Sequence, residues 1–251
     1  MGTSESILGK SVLVTGAARR LGAEIVRTLH AAGANVSIHY RRSEREASAL
    51  ADSLNTQRAE SAQIVHADLA DADGFRGLVA EVVDRFGRLD GLVNNASSFF
   101  STPMGRISDA DWSELIGSNL KAPLFLSQAA APYLRVTRGA VVNITDIYGE
   151  RPLAGFSVYC TAKAGLVGLT RALAIELAPE VRVNGVAPGP IEWPEDETFD
   201  IKTRQEIIDH TLLKRTGTPA DVARSVLFLL AGAQYVTGQI LAVDGGRSAH
   251  L

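Results

Sequence analysis

The sequence predicts an α/β fold, a single domain built on a doubly wound parallel sheet of about seven strands with helices on both faces. Three observations predict it. Apolar strand-like runs alternate with helix-like stretches almost to the last residue, the pattern of βαβ units. A glycine turn follows the first strand-like run and opens the first helix. The chain has 251 residues, enough for one large domain with a well-buried core, and no linker, repeat or low-complexity tract divides it.

The elements follow in order. A strand over 11–16 contains Ser11-Val-Leu-Val14, and a helix over 22–32 ends on Ala31-Ala32-Gly33, a glycine suited to a helix C-terminus. Strands over 35–40, 62–67 and 91–95 alternate with helices over 43–56, 71–86 and 109–134. A strand over 139–145, a helix over 156–178 and a strand over 181–187 come next. A last helix over 219–231 has Thr218 as its N-cap and Pro219 in its first turn, and a strand over 239–243 ends the series. The stretch 188–211 carries Pro188, Pro190 and Pro194 and several acids, and reads as a long loop with a short helix. In such a fold it lies beyond a strand's C-terminal edge, where ligands bind. Residues 1–9 are expected to be a loosely held terminus.

Composition narrows the function. The chain is 46% hydrophobic and 21% charged, as in soluble globular proteins. A net charge of −3 gives no footprint for nucleic acid. No run of about 18 apolar residues is present to span a bilayer. The single cysteine, Cys160, excludes an intrachain disulfide, and with no signal-like N-terminus this points to a reducing cytoplasm. Cys160 adjoins Tyr159 and reads as a small buried residue. The five histidines, at 30, 39, 66, 210 and 250, show no metal-ligand spacing, so no metal is expected.

The turn Thr15-Gly16-Ala17-Ala18-Arg19-Arg20-Leu21-Gly22 sits between a strand and a helix. Free backbone N–H groups and the helix dipole make that junction a phosphate cradle. Gly16 permits the tight turn and Gly22 the close packing of the helix. Arg20 brings a guanidinium to the cradle, suited to phosphate or to a planar polar ligand. The end of the second strand selects the dinucleotide. An acid there would bind the ribose 2′-hydroxyl of NAD, whereas this chain has Tyr40, Arg41, Arg42 and Ser43, which suit the 2′-phosphate of NADPH.

Tyr159 and Lys163 form a Y-x-x-x-K pair at the start of a helix, with Asp146 thirteen residues before the tyrosine. One helical turn puts the lysine on the tyrosine's face. An ammonium there is expected to lower the phenol's pKa, and Tyr159 can then give a proton while the dinucleotide gives a hydride. An ionised Asp146 accepts hydrogen bonds and cannot donate them. It repels a ketone oxygen and welcomes N–H groups, or carries a proton if its pKa is raised. A C=N bond in a nitrogen heterocycle suits it better than a ketone.

These motifs resemble the short-chain dehydrogenase/reductase family, over nearly the whole chain. The resemblance implies a Rossmann-like sheet. It also implies roles for further residues: Asp68 and Leu69 at the adenine, Asn95, Ala96 and Ser97 after the fourth strand, and Pro188 and Gly189 beside the nicotinamide. Asn119 resembles the family's helix asparagine that supports the lysine through water. The chain departs from the usual T-G-x-x-x-G-x-G pattern at Arg20, and it has Asp146 where most members have serine. Those departures are shared with the pteridine reductases, as are the T-G-A-A-R-R-L-G loop, the H-Y-x-R-S segment at His39–Ser43, and Asn94-Asn95-Ala96-Ser97-Ser98-Phe99.

That narrower resemblance implies a pterin stacked between the nicotinamide and Phe99, with Arg20 and Ser97 touching both pterin and cofactor. Leu153, Phe156 and Trp193 are expected as further pocket walls. The implied activity is NADPH-dependent reduction of dihydropterins of the dihydrobiopterin or dihydromonapterin type to tetrahydro forms, with dihydrofolate as a further substrate. The implied assembly is a homotetramer built through the long helices 109–134 and 156–178. Two other readings compete: a ketone or 3-oxoacyl reductase of the same fold, and a non-catalytic NADPH-sensing protein. Asp146 speaks against the first, and the complete Tyr159, Lys163 and Asn119 set against the second.

Overall fold

Alternate strand residues enter two different cores, so helices must cover both faces of the sheet. Val12 and Val14 lie in one apolar cluster, and Leu13 between them lies in the other. Val93 and Leu92 divide in the same way, as do Val142 and Val141. Period-two side chains buried on both faces give the near-continuous apolar runs seen in the sequence. The computed structural model of the chain describes residues 6–71, 74–193 and 199–249.

The strands are β1 (Ser11–Val14), β2 (Asn35–Tyr40), β3 (Ala62–His66), β4 (Gly91–Asn94), β5 (Ala140–Ile144), β6 (Arg182–Pro188) and β7 (Ile240–Val243). They form one parallel sheet in the order β3-β2-β1-β4-β5-β6-β7. The chain reverses its winding between β1 and β4, and in such sheets ligands bind outside the strand ends at that switch point. On one face Ile25 and Leu29 of α1 (Arg20–Ala31) and Leu50 of α2 (Glu44–Gln57) join Val222 and Val226 of α8 (Pro219–Leu227). On the other, α3 (Phe75–Phe86), α5 (Ala122–Thr137) and α6 (Ser157–Leu177) supply Leu78, Leu126 and Leu173.

The expected helix over 109–134 is interrupted. It divides into α4 (Asp109–Ile116), a π-helical turn at Gly117–Lys121, and α5. Pro123, in the first turn of α5, has no N–H to return to the carbonyl of Asn119 four residues back. The N–H of Ala122 reaches back to Gly117 instead, five residues away. Such turns recur at functional sites, and this one carries Asn119.

Other boundaries moved less. Strand β1 ends at Val14, because Thr15 and Gly16 turn away into the loop, and α1 begins at Arg20. Thr218 caps α8 as expected, with its N–H given to the Asp221 carboxylate at 2.9 Å. The loop over 188–211 does contain a short helix, α7 (Ile201–Asp209); residues 194–198, including Pro194, lie outside the described residues. The terminus is held better than expected from residue 6 onward. Ile7 is buried in the core, and the Gly9 N–H bonds the Gly33 carbonyl at 2.9 Å. Residues 1–5 and His250 lie outside the described residues. The membrane expectation also needs correction, since α6 is long and apolar enough to cross a bilayer by length and composition. Its apolar side chains include Leu166, Leu173 and Leu177, which are buried within the fold.

Candidate active site

The glycine turn is fixed from three sides. Gly16 has φ 59°, and a Cβ there would stand 2.8 Å from the Ala96 Cα. A Cβ on Gly22 would press into the Gly16 carbonyl and the Asn95 amide. The Thr15 hydroxyl accepts the N–H groups of Asn95 at 2.9 Å and Ala96 at 3.0 Å. The Asn95 amide gives its N–H groups to the carbonyls of Thr15 at 2.9 Å and Gly16 at 3.1 Å. These bonds tie the turn after β1 to the end of β4.

The third side is His39, on β2, a residue that sequence reasoning quoted within a motif but gave no function. Its Nδ1 accepts the Gly16 N–H at 3.0 Å, so its Nε2 carries the proton given to the Ala67 carbonyl at 3.1 Å. Burial is the main reason its pKa falls from 6.5 to about 4, so it is neutral at ordinary pH.

Arg20 keeps the backbone that the family's glycine would have, with φ 51°. An L-residue there costs roughly 1–2 kcal/mol. The side chain is what that strain supports. Its Nε lies 3.3 Å from the Glu192 carboxylate and its Nη2 donates to the Trp193 carbonyl at 3.0 Å.

A cleft of about 620 Å³ runs along the strand ends from this turn. Tyr40, Arg41, Arg42, Ser43 and Leu69 line its β2 end, and Leu21, Asn95 and Ala96 its middle. Ser97, Pro188 and Gly189 line the end nearest β6. Asp68 takes part through Arg41, whose Nη1 lies 3.8 Å from both the Asp68 and Glu114 carboxylates. Glu114, on α4, was not expected there. The donor set fits a phosphorylated dinucleotide: cationic and hydroxyl groups at one end, a helix N-terminus with free N–H groups in the middle.

Asp146, Tyr159 and Lys163 meet at the far end of this cleft. The Tyr159 hydroxyl donates to Asp146 Oδ2 at 2.7 Å, and the Tyr148 N–H donates to Asp146 Oδ1 at 2.8 Å. Lys163 is buried, with its Nζ donating to the Ile144 carbonyl at 3.0 Å and lying 5.6 Å from the Tyr159 ring centre. The expected lowering of the tyrosine pKa is reversed. Burial, then the Asp146 charge and its hydrogen bond, push the Tyr159 pKa well up. Burial also raises Asp146, against the hydrogen bonds from Tyr148 and Tyr159 and the charge of Lys163. Burial lowers Lys163 to about 8, opposed by Asp146. The cluster therefore pairs a tyrosine that keeps its proton with a carboxylate whose charge is opposed by burial and supported by Tyr148, Tyr159 and Lys163.

Asn119 bears on this cluster through a neighbour. Its Oδ1 accepts the Ser97 hydroxyl at 2.7 Å, and its amide donates to the carbonyls of Ser98 and Leu115, both at 2.9 Å. It fixes the segment after β4, and its side chain makes no direct hydrogen bond to Lys163 among the described residues.

A second cavity of about 530 Å³ opens beyond Asp146 and Tyr159. Phe99 lines it, stacked on Phe156 with ring centres 4.7 Å apart and edge-on to Tyr159 at 4.8 Å. Trp193 lines it as expected, whereas Phe156 lies behind Phe99. Leu153 is not on the wall; it packs in the small cluster with Phe156 and Cys160, and its N–H points at the Cys160 Sγ 3.4 Å away. Cys160 is buried, as expected. Sequence reasoning missed Tyr148, Phe199, Ile207 and Glu192 on this wall. Phe199, Ile207 and Glu192 all come from the proline-rich stretch after β6, which was singled out only as a segment. Among the described residues no group of three His, Cys, Asp or Glu side chains could hold a metal.

Known proteins can now be compared with this geometry. The model of a family described as enoyl-(acyl carrier protein) reductase matches residues 16–248. The chain belongs to the short-chain dehydrogenase/reductase family. Pteridine reductase 1 of Leishmania tarentolae is 39% identical over 278 aligned positions, covering 94% of this chain and 95% of the relative. The 3-oxoacyl-(acyl-carrier-protein) reductase FabG of Staphylococcus aureus is 36% identical, covering 94% and 97%. A putative ketoacyl reductase of granaticin polyketide synthesis from Streptomyces violaceoruber is 39% identical, covering 95% of each. A blue fluorescent protein from a metagenomic library, solved in complex with NADPH, superposes with a TM-score of 0.90 at 33% identity over 97% of this chain and 99% of that one. Overall identity is thus similar for pteridine and ketoacyl reductases. This oxidoreductase must be told apart by single side chains in the cavity.

Proposed function

We propose that this oxidoreductase is an NADPH-dependent pteridine reductase that reduces dihydropterins to their tetrahydro forms. One observation carries the reading: the carboxylate of Asp146 accepts the Tyr159 hydroxyl at 2.7 Å, at the mouth of an aromatic cavity. A ketone oxygen needs donors, and a carboxylate offers none. A heterocycle with ring N–H groups gives Asp146 donors to accept, and Phe99 with Trp193 offers flat apolar surface to a planar ring.

NADPH is the reductant. Arg41, Arg42 and Ser43 would hold the 2′-phosphate end, the N-terminus of α1 with Arg20 would hold the pyrophosphate, and Pro188 and Gly189 would border the nicotinamide. When bound, the nicotinamide would supply a hydride to the carbon of the substrate's C=N bond. Tyr159 supplies the proton that the nitrogen needs. It gives that proton as negative charge develops on the nitrogen, against the raised pKa that burial and Asp146 impose, and the Asp146 carboxylate accepts the N–H so formed. Lys163 counters the negative charge that Tyr159 and Asp146 share. The same reading places the enzyme in the cytoplasm as a homotetramer.

The carbonyl reductase alternative is favoured by the ketoacyl reductases of similar identity. Loss of NADPH absorbance with dihydrobiopterin, dihydrofolate, an acetoacetyl thioester and simple ketones decides between them. The pteridine reading expects the dihydropterin to be turned over with the highest kcat/KM. Preference for the thioester would replace it with the carbonyl reading.

A further inference from the structure

The rim of the substrate cavity holds a carboxylate that the reaction does not use. Glu192 follows Pro190 and Ile191 after the end of β6, and its Oε2 lies 3.3 Å from Arg20 Nε. Both side chains are only 40% exposed. Arg20 lines both the dinucleotide cleft and the substrate cavity. Its guanidinium is aimed from below by the left-handed backbone of the glycine turn, and from above by Glu192 and the Trp193 carbonyl. Two further guanidinium groups border this cavity: Arg204, whose Cζ lies 5.5 Å from the Trp193 ring centre and whose Nε–H goes to the Phe199 carbonyl at 2.8 Å, and Arg247, whose Nη1 donates to the Ile207 carbonyl at 3.0 Å and which bonds the Tyr148 side chain. Both are engaged by the cavity wall.

A guanidinium at the junction of two cavities is the natural partner for an anionic group on an incoming ligand, because its paired N–H donors match a carboxylate or phosphate. Glu192 already occupies that edge. A carboxylate-bearing ligand must displace Glu192 from Arg20 and then lie against its negative charge. A neutral planar ligand meets neither cost.

We propose that Glu192 sets the charge selectivity of the substrate cavity by holding Arg20 in an ion pair that a substrate carboxylate would otherwise take, so that neutral planar substrates are favoured over anionic ones. Glu192 acts through Arg20 and is a specificity-determining residue. The inference rests on the reductase reading of this cavity and applies to a pterin and to a carbonyl substrate alike.

The test compares substrates that share a reacting group and differ by a carboxylate. Dihydrofolate and its dimethyl ester form one pair, and a 3-oxo acid and its neutral ester form the other. For full-length Glu192→Gln the anionic-to-neutral ratio of kcat/KM should rise about fivefold, the scale of a rim ion pair, with the change in KM. Glu192→Asp, which keeps the charge, should stay near the wild-type ratio, and the gain in the Gln variant should shrink as salt is raised. Dissociation constants for the protein–NADP⁺ complex, read from Trp193 fluorescence in a Trp112→Phe background, should show the same ratio without turnover. A ratio unchanged within about twofold at low salt in both kinetics and binding would overturn the proposal. Turnover of the oxo pair alone would end the pterin reading, while the Glu192 ratio would then be judged on that pair and on binding.

Discussion

The glycine turn and the substrate rim are built in opposite ways, although Arg20 belongs to both. The turn is held by buried groups with fixed partners: the Thr15 hydroxyl, the Asn95 amide and the neutral ring of His39. The rim is held by an exposed ion pair and by ring contacts, with Trp193 and Phe199 5.9 Å apart and tilted at 61°. Buried hydrogen bonds between neutral groups do not weaken with salt, whereas exposed charge pairs do. The end that holds a constant cofactor is rigid, and the end that must distinguish substrates is adjustable. Asp146 and Tyr159 sit where the two meet.

Changes at the junction should have the largest effect. Tyr159→Phe keeps the ring and its packing against Phe99 but removes the proton. We expect NADPH to bind normally, measured by fluorescence titration, and kcat to fall roughly 100-fold or more. Near-normal turnover would assign the proton to Asp146 or to solvent. At the rigid end, Arg41→Asp with Arg42→Ala should weaken NADPH binding by about 10- to 150-fold, corresponding to roughly 1.5–3 kcal/mol, and NADH binding little. Equal losses for both would remove the 2′-phosphate assignment.

His39 sharpens the comparison through pH. It binds its proton near pH 4 in the folded chain and near 6.5 when unfolded, so between those values the unfolded state holds more protons. Stability contributed by neutral His39 is present above 6.5 and is lost as pH falls toward 4. Urea denaturation should show a loss of about 2 kcal/mol between pH 7 and pH 5 from this residue. His39→Phe should remove that slope and lower stability at neutral pH by about 1–3 kcal/mol, because the Gly16 N–H loses its acceptor. An unaltered slope in the variant would mean that other groups carry it.

What could be read in the sequence follows the same division. The alternation of strands and helices and the glycine turn were legible because apolar periodicity and Gly16 act locally. Arg41, Arg42 and Ser43 were legible because their place at the end of β2 fixes where they point. The π-helical turn was not, since the apolar period of a helix does not reveal where one N–H reaches back five residues in place of four. Nor was the raised Tyr159 pKa. The spacing to Lys163 suggested a cation beside the phenol, but burial and Asp146 outweigh it, and burial cannot be read from spacing. Glu192 and Phe199 were hidden because a loop with no period gives no direction to its side chains. Their contacts with Arg20 and Phe99 cross about 170 and 100 residues of chain, where local pattern has no reach.

We propose that Asp146 makes this a reductase of nitrogen heterocycles, and the Asp146→Ser variant is the sharpest test of that role. The variant should be assayed with dihydrobiopterin and with a ketone panel, each at saturating NADPH. The account predicts that kcat/KM for the dihydropterin falls more than about tenfold, or 1.4 kcal/mol of transition-state stabilisation. The loss should be in kcat, because the Phe99 and Trp193 walls and the Arg20 contacts remain, and ketone activity should hold or rise. A wild-type enzyme that prefers ketones, with a serine variant unchanged on pterins, would contradict the account and leave Asp146 as a tolerated substitution in a carbonyl reductase.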